Sequence, residues 1–172
     1  DFGNGFTTAF GYAGDESSIG TKGGQDGYGI NVAYSADKYG VSVTRGIVED
    51  GNDNDVYTAL NGYYSFDNGL NISAGYEVGD LDNAAATEDE TEAYFVGVNG
   101  DVGPGELGAA FGTAGSQTES AGSIPDRMMY EVYYSYAVND GMTITPLIYT
   151  VEGEDAADED ETGIMVKTSF SF

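Results

Sequence analysis

The sequence predicts an all-β fold in which about ten antiparallel strands form a transmembrane β-barrel. Three observations predict this fold: apolar and polar residues alternate with a period of two, short and long connections alternate along the chain, and the composition favours strands. The 172 residues include 27 Gly, 14 Tyr and 8 Phe, and helical periodicity is absent. A chain of this length fits one unit, residues 1–172, either a single barrel domain or a fragment of a barrel.

The ten predicted strands share the same alternation, with bulky apolar residues on one face and small or polar residues on the other. In the first strand, Phe6 and Phe10 oppose Ala9; in the last, Val166 and Phe170 oppose Lys167. The predicted strands are 2–13, 27–35, 39–47, 56–66, 70–78, 92–99, 105–113, 127–137, 141–151 and 162–172.

Connections of alternating length indicate where this sheet lies. Short turns are predicted near 36–38, 67–69, 100–104 and 139–141, with the Asn, Asp and Gly that tight hairpins require. Longer acidic loops are predicted at 14–26, 48–55, 79–91, 114–126 and 152–161. This order is typical of an integral outer-membrane barrel, with long loops outside the cell and short turns in the periplasm. An even strand count places both chain ends on the periplasmic side.

Aromatic residues of the apolar stripe predict two belts at the membrane interfaces. The belt near the short turns comprises Tyr34, Tyr39, Tyr64, Phe66, Tyr136, Phe170 and Phe172. The belt near the long loops comprises Phe10, Tyr12, Tyr28, Tyr76, Tyr94, Phe111 and Tyr130. The alternative is that tyrosine is simply a good strand former.

Charge and the missing residue types exclude several functions. The net charge of −25 disfavours nucleic acid as a partner. Since the chain has no His and no Cys, the commonest general base, the usual nucleophile partnerships and most zinc sites are absent. We therefore predict no enzyme activity, no catalytic residue and no cofactor. No apolar run is long enough for a membrane-spanning helix, no signal peptide is recognisable, and the early first strand leads us to expect a fragment of a longer polypeptide.

Acidic residues concentrate in the long loops and predict a negative mouth that attracts cations. The alternative is a solvated surface in salt water. The mouth comprises Asp80, Asp82, Glu88, Asp89, Glu90, Glu152, Glu154, Asp155, Asp158, Glu159 and Asp160. Arg45 and Arg127, at the loop ends of their strands, could neutralise it. Residues 50–55 could supply oxygen ligands for Ca²⁺, but the stretch lacks the glycine and distal glutamate of a dedicated site, so no metal site is predicted.

Polar residues opposite the apolar stripe predict a wet lumen. The predicted pore-lining residues are Asn31, Ser42, Asn61, Asn71, Ser73, Glu77, Glu131, Lys167 and Ser169. Glu131 and Lys167 are charges in mid-strand. Either they line the conducting path or they form a structural pair or network.

The carboxyl end carries a resemblance to a known family. The stretch Ile164–Phe172 alternates apolar residues and ends in Phe, and it resembles the strand that outer-membrane barrels present to the barrel assembly machinery. Together with Thr145–Tyr149 and the acidic residues that follow, it resembles the end of porins from marine cyanobacteria. The resemblance implies a general porin in the outer-membrane lipid bilayer, a homo-oligomer that is commonly a trimer, and a barrel of about 16 strands to which this chain would contribute the carboxyl part. Ten strands closing alone is the alternative.

The function expected from these features is passive diffusion of small hydrophilic solutes and ions, biased toward cations by the acidic loops. The alternative is a structural or surface-interaction β-protein, either a non-conducting barrel or a β-rich homopolymer.

Overall fold

One antiparallel sheet contains every strand. The structure, a computed structural model, describes residues 2–14, 26–50, 53–82, 90–114, 117–118, 127–153 and 158–171. The strands are β1 (Phe6–Ala13), β2 (Gly27–Ser35), β3 (Tyr39–Asp50), β4 (Asp53–Ser65), β5 (Asn71–Asp80), β6 (Glu90–Val102), β7 (Gly105–Thr113), β8 (Gln117–Thr118), β9 (Met128–Asn139), β10 (Met142–Val151) and β11 (Glu161–Phe170).

Ten of these strands follow one another across the sheet in sequence order, and the two-residue β8 pairs with β6. The ten predicted strands are thereby confirmed, with shifted ends. Within the described residues, β1 pairs only with β2 and β11 only with β10, so the sheet is open. None of the described residues forms a helix long and apolar enough to cross a membrane.

The strand register gives the sheet two chemically distinct faces, because residues directly opposite each other share a face. Ser42 lies opposite Asn61, and Asn61 lies opposite Gly75. Val43 lies opposite Leu60 on the other side of the sheet. We call the face that carries Ser42 and Asn61 the polar face and the one that carries Val43 and Leu60 the apolar face.

Exposure follows the same alternation. In β5 the polar-face residues Ser73 and Glu77 are half-buried, whereas Ile72, Tyr76 and Val78 on the apolar face are exposed. Among the described residues no hydrophobic side chain is buried. Instead, the buried positions are on the polar face: Gly40, Gly79, Thr91, Gly97, Gly108 and Gly112. Because no second layer covers either face in the part of the chain described, the difference indicates that the sheet curves around its polar face.

Short turns join the strands at one end of the sheet, the short-turn end. Val102 pairs with Gly105, so only Gly103 and Pro104 connect β6 to β7. Gly103 has a φ of 61°, as the first central residue of a type II′ hairpin turn requires. The Asn139 side chain accepts a hydrogen bond from the Gly141 amide at 2.9 Å, which stabilises the turn between β9 and β10. The short turns predicted near 36–38, 67–69, 100–104 and 139–141 coincide with the connections β2–β3, β4–β5, β6–β7 and β9–β10.

The predicted first strand was wrong over residues 2–5, which form a turn. Asn4 and Gly5 have φ values of 54° and 84°, the positive values of a type I′ hairpin turn. The Phe6 amide donates to the Gly3 carbonyl at 3.2 Å, and the Phe2 amide donates to the Phe6 carbonyl at 3.0 Å. The Gly5 carbonyl instead accepts from Ser35 of β2. Phe2 and Gly3 therefore lie along the edge of β1 that faces away from β2.

A second correction concerns the predicted loop at 48–55. β3 and β4 continue pairing beyond the predicted ends, with Val48 opposite Asp55 and Glu49 opposite Asn54. Backbone pairing satisfies the amide and carbonyl groups of this acidic stretch even though its residues are poor strand formers. Asp50 pairs with Asp53, so the predicted alternation of short and long connections does not hold here.

Aromatic rings of the apolar face meet across strands at both ends of the sheet. At the short-turn end, the Phe6 and Tyr34 ring centroids lie 4.8 Å apart and those of Tyr34 and Tyr39 lie 5.9 Å apart. Tyr64 and Phe66, two residues apart along the chain and not on neighbouring strands, are 4.8 Å apart in an edge-on arrangement. At the other end, which we call the long-loop end, Tyr12 and Tyr28 lie 5.4 Å apart. Such contacts stabilise an exposed face without requiring a core.

Candidate functional site

The polar face brings all nine predicted pore-lining residues to one side of the sheet. The register places Asn31, Ser42, Asn61, Asn71, Ser73 and Glu77 on it through β2 to β5. Glu131, Lys167 and Ser169 follow on β9 and β11. That this face bounds a pore stays a prediction. The structure does place the nine residues on one face, as the prediction required.

Hydrogen bonds fix several polar side chains against this face. Asn31 donates from Nδ2 to the Thr44 hydroxyl at 2.7 Å. Farther along the sheet, the Thr145 hydroxyl donates to the Ser135 hydroxyl at 3.2 Å. These bonds run between neighbouring strands, so they hold polar groups along the wall in fixed positions.

Glu131 and Lys167 lie far apart on the polar face. Glu131 is opposite Tyr149, whereas Lys167 is opposite Thr145. These partners are four positions apart on β10, roughly 13 Å at the usual rise per residue. The two charges are therefore not cross-strand neighbours, and the register does not support a direct pair between them.

A carboxylate that the sequence analysis missed, Glu106, lies at the centre of a hydrogen-bonded cluster near the short-turn end. It accepts from Asn99 Nδ2 at 2.7 Å and from the Tyr133 hydroxyl at 3.1 Å. Three strands, β6, β7 and β9, thus meet at one half-buried charge. Glu106 stands near the start of a short strand, and only its register with Asn99 and Tyr133 reveals the cluster.

Five aromatic residues on the polar face were also missed as pore-lining residues. They are Tyr57, Tyr63, Phe95, Tyr133 and Tyr149. Phe95 and Asn61 together line two hollows of about 330 and 380 Å³. Ser42 and Tyr63 line the first hollow, and Glu77 lines the second. Period-two alternation along their own strands could have assigned these rings to the polar face. They were missed because the prediction considered only polar residues as pore-lining.

The described members of the predicted acidic mouth lie at the long-loop end of the sheet. Asp80 and Glu90 lie directly opposite each other on the side of the apolar face. Asp82 accepts a hydrogen bond from the Asn54 amide at 3.4 Å, and Asp160 accepts from the Gly153 amide at 3.3 Å. Asp158 and Glu159 are exposed. Four further predicted members, Glu88, Asp89, Glu154 and Asp155, lie outside the described residues.

Glu152 fastens the beginning of β9 to the end of β10. Its carboxylate accepts from the Met128 amide at 3.0 Å and from the Tyr130 hydroxyl at 3.2 Å. Its carbonyl accepts from Arg127 Nε at 2.8 Å. Arg127 thus lies beside Glu152 of the acidic mouth, and its neutralisation of the mouth stays a prediction. Arg45 lies instead on the apolar face, where it donates to the Thr58 hydroxyl at 3.2 Å.

Comparison with known proteins gives one family match. The model of the family described as Gram-negative porin matches residues 1–168. Among curated proteins, no match to the chain was found.

Proposed function

This chain belongs to the Gram-negative porin family, and from that premise we propose that its polar face lines a water-filled lumen through which small hydrophilic solutes and ions diffuse passively. Membership supports an outer-membrane channel, rather than an enzyme, as the general function. One observation carries the assignment of the lumen: the polar side chains share the half-buried face, and the exposed face is apolar. Lipid can cover an apolar exterior, and water can solvate a polar interior.

The orientation that we propose follows from the belts and turns. The apolar face contacts lipid, with the two groups of aromatic rings at the interfaces. The short-turn end faces the periplasm, and the long-loop end faces the outside of the cell. β1 begins and β11 ends at the short-turn end, which supports periplasmic positions for both.

The open edges of β1 and β11 must be paired inside a bilayer, because unsatisfied backbone groups are costly in hydrocarbon. We propose that a further strand covers β1. The hairpin turn at Gly3–Phe6 supports this arrangement, since it directs the chain back along the free edge of β1. The sheet described here is then the carboxyl part of a larger barrel, as the resemblance to porins implied.

We propose two partners: the barrel assembly machinery, which would recognise β11, and further copies of this chain. Ile164, Val166 and Phe170 of β11 are highly exposed, which supports recognition of this strand by the barrel assembly machinery. Phe172, the predicted terminal signal, lies outside the described residues. A homotrimer is the proposed assembly by resemblance to the family.

A preference for cations is proposed from the charges of the wall as well as the mouth. Glu77, Glu106 and Glu131 lie on the polar face. Within the described strands, Lys167 is the one basic side chain of that face. Negative walls concentrate cations in a narrow aqueous path, where screening by salt is weaker than in open solution.

Planar-bilayer recordings under a salt gradient test both parts of the proposal. The protein is expected to give a steady ohmic current whose reversal potential shows cation preference. Glu131→Gln should lower the cation-to-anion permeability ratio by about two-fold, and Lys167→Gln should raise it similarly. Lys38→Gln, in a short turn, is the matched control and should change nothing.

Electrically silent insertion of the folded protein would contradict a porin and favour the alternative of a non-conducting structural barrel. A conducting protein without cation preference would contradict only the role assigned to the acidic residues. If the Lys167 and Lys38 substitutions changed the permeability ratio equally, Lys167 would not lie on the conducting path.

A further inference from the structure

The five aromatic residues on the polar face have one property in common: each lies directly opposite a glycine on a neighbouring strand. The pairs are Tyr57 with Gly79, Tyr63 with Gly40, Phe95 with Gly75, Tyr133 with Gly108, and Tyr149 with Gly163. They span the sheet from β3 to β11, so the arrangement is not confined to one hairpin.

Each of these glycines lies beneath the ring that it opposes. A Cβ atom at Gly79 would come within 2.8 Å of the Tyr57 ring carbons and would also overlap the Thr91 hydroxyl, and one at Gly75 would overlap the Phe95 ring and Asn61 Oδ1. Side chains at Gly40, Gly108 and Gly163 would likewise overlap the rings of Tyr63, Tyr133 and Tyr149. None of the five glycines has a positive φ. Space for neighbouring side chains, and not backbone conformation, is therefore what requires glycine here: the ring at all five positions, and also Asn61 at Gly75 and Thr91 at Gly79.

Rings of this kind lie along the wall instead of standing upright from it. A side chain on a strand normally projects perpendicular to the sheet. Over a glycine the ring can fold down onto the neighbouring backbone, an arrangement known as aromatic rescue of glycine. The ring then covers apolar backbone surface that would otherwise face water, and Gly79 and Gly108 beneath their rings are buried.

We propose that these five glycines determine the bore of the channel by holding aromatic rings flat against the lumen wall. This inference rests on the proposed function, because it requires the polar face to be the lumen. Phe95 illustrates the consequence, since it lines both hollows of the polar face. If a side chain at position 75 displaced the Phe95 ring, the ring could move only into the lumen. It would then narrow the path past Asn61 and Glu77.

The decisive experiment compares Gly75→Val, Phe95→Ala and the double variant in the intact protein by single-channel conductance. Gly75→Val is expected to lower conductance by about two-fold, because current follows the open cross-section of the pore. The double variant should regain at least the unaltered conductance, since no ring remains to be displaced. Gly46→Val is the matched control: Gly46 lies on the polar face and also opposes Tyr57, but the ring does not lie over it, and only a backbone oxygen at 3.8 Å lies near its missing Cβ.

The same design with Gly108→Val and Tyr133→Ala provides a second, independent pair if the first variant folds poorly. Liposome swelling with sugars of increasing size should show a lower size limit for each glycine variant and a restored limit for each double variant.

The proposal is overturned if Gly75→Val and Gly108→Val conduct like the unaltered protein, or if removing the rings fails to restore conductance. It is also overturned if Gly46→Val narrows the pore equally. These outcomes differ from failure of the proposed function, in which the unaltered protein itself carries no current.

Discussion

The two faces of the sheet use aromatic residues in opposite ways. On the apolar face, rings oppose rings: Phe6 with Tyr34, Tyr12 with Tyr28, Tyr39 with Tyr64, Tyr76 with Tyr94, and Phe111 with Tyr130. On the polar face, every ring opposes a glycine. Pairing two large side chains builds a thick apolar exterior that lipid can solvate. Pairing a large side chain with a glycine, which has no side chain, leaves more open space above the polar face.

This difference teaches that residue type alone does not reveal which face an aromatic residue occupies in such a sheet. Each ring of the polar face has a glycine opposite it on one neighbouring strand, whereas most rings of the apolar face oppose large side chains; Tyr136, opposite Gly105 on the apolar face, is the exception. Glycines within the strands follow the same division. Most lie on the polar face, and the exceptions are Gly62, Gly100 and Gly105.

The largest effect expected from this comparison concerns stability in the membrane. Leu60→Arg places a charge on the apolar face midway between the two ends of β4, and it should lower the free energy of unfolding from lipid vesicles by about 2–4 kcal/mol. Asn61→Arg, one residue along on the polar face, should cost less than about 1 kcal/mol because the charge remains in water. Denaturant unfolding in vesicles measures both, and equal losses would show that the faces have been assigned incorrectly.

A smaller effect separates two adjacent tyrosines on opposite faces. The Tyr133 hydroxyl donates to the Glu106 carboxylate, and the Tyr134 hydroxyl donates to the Val102 carbonyl at 2.9 Å. Hydrogen bonds to charged groups stabilise more, so Tyr133→Phe should cost about 1.5 kcal/mol and Tyr134→Phe about half of that. The same unfolding assay applies. A reversed order would mean that Glu106 does not depend on Tyr133.

The smallest effect concerns the long-loop end. Neutralising the exposed Asp158 and Glu159 to Asn and Gln should lower cation preference by about 1.5-fold in dilute salt, and the change should vanish near 1 M salt, where the screening length falls to about 3 Å. Asp140→Asn at the short-turn end serves as the control. Persistence of the effect in concentrated salt would indicate a specific cation site at this end instead of a diffuse potential.

Much of the fold could be predicted from the sequence because one face of each strand must be apolar. Period-two alternation assigned Asn31, Asn61 and Lys167 to the same face without any knowledge of pairing. The strand ends were harder to predict, since backbone pairing extended β3 and β4 through acidic residues that propensity disfavours. Asn4-Gly5 carried a strong hairpin signal, but the alternation of the neighbouring residues concealed it.

The candidate site was predicted less completely, because its contacts cross strands. Glu106, Asn99 and Tyr133 come from three strands and meet only once the register is known. The ring and glycine pairs depend on register in the same way. Tight turns such as Gly103–Pro104 fix which residues face each other. Counting residues outward from each turn could therefore have predicted these cross-strand pairs.

The order of the strands also bears on how the protein assembles. Apart from β8, each strand pairs with the strand next to it in sequence, so every hairpin closes a modest loop at modest entropic cost. Strands can therefore join a growing sheet one hairpin at a time, with slow, non-local pairing reserved for the final seam. The last edge strand remains a template for its successor until that seam closes, which places the greatest risk of mispairing at the end of folding.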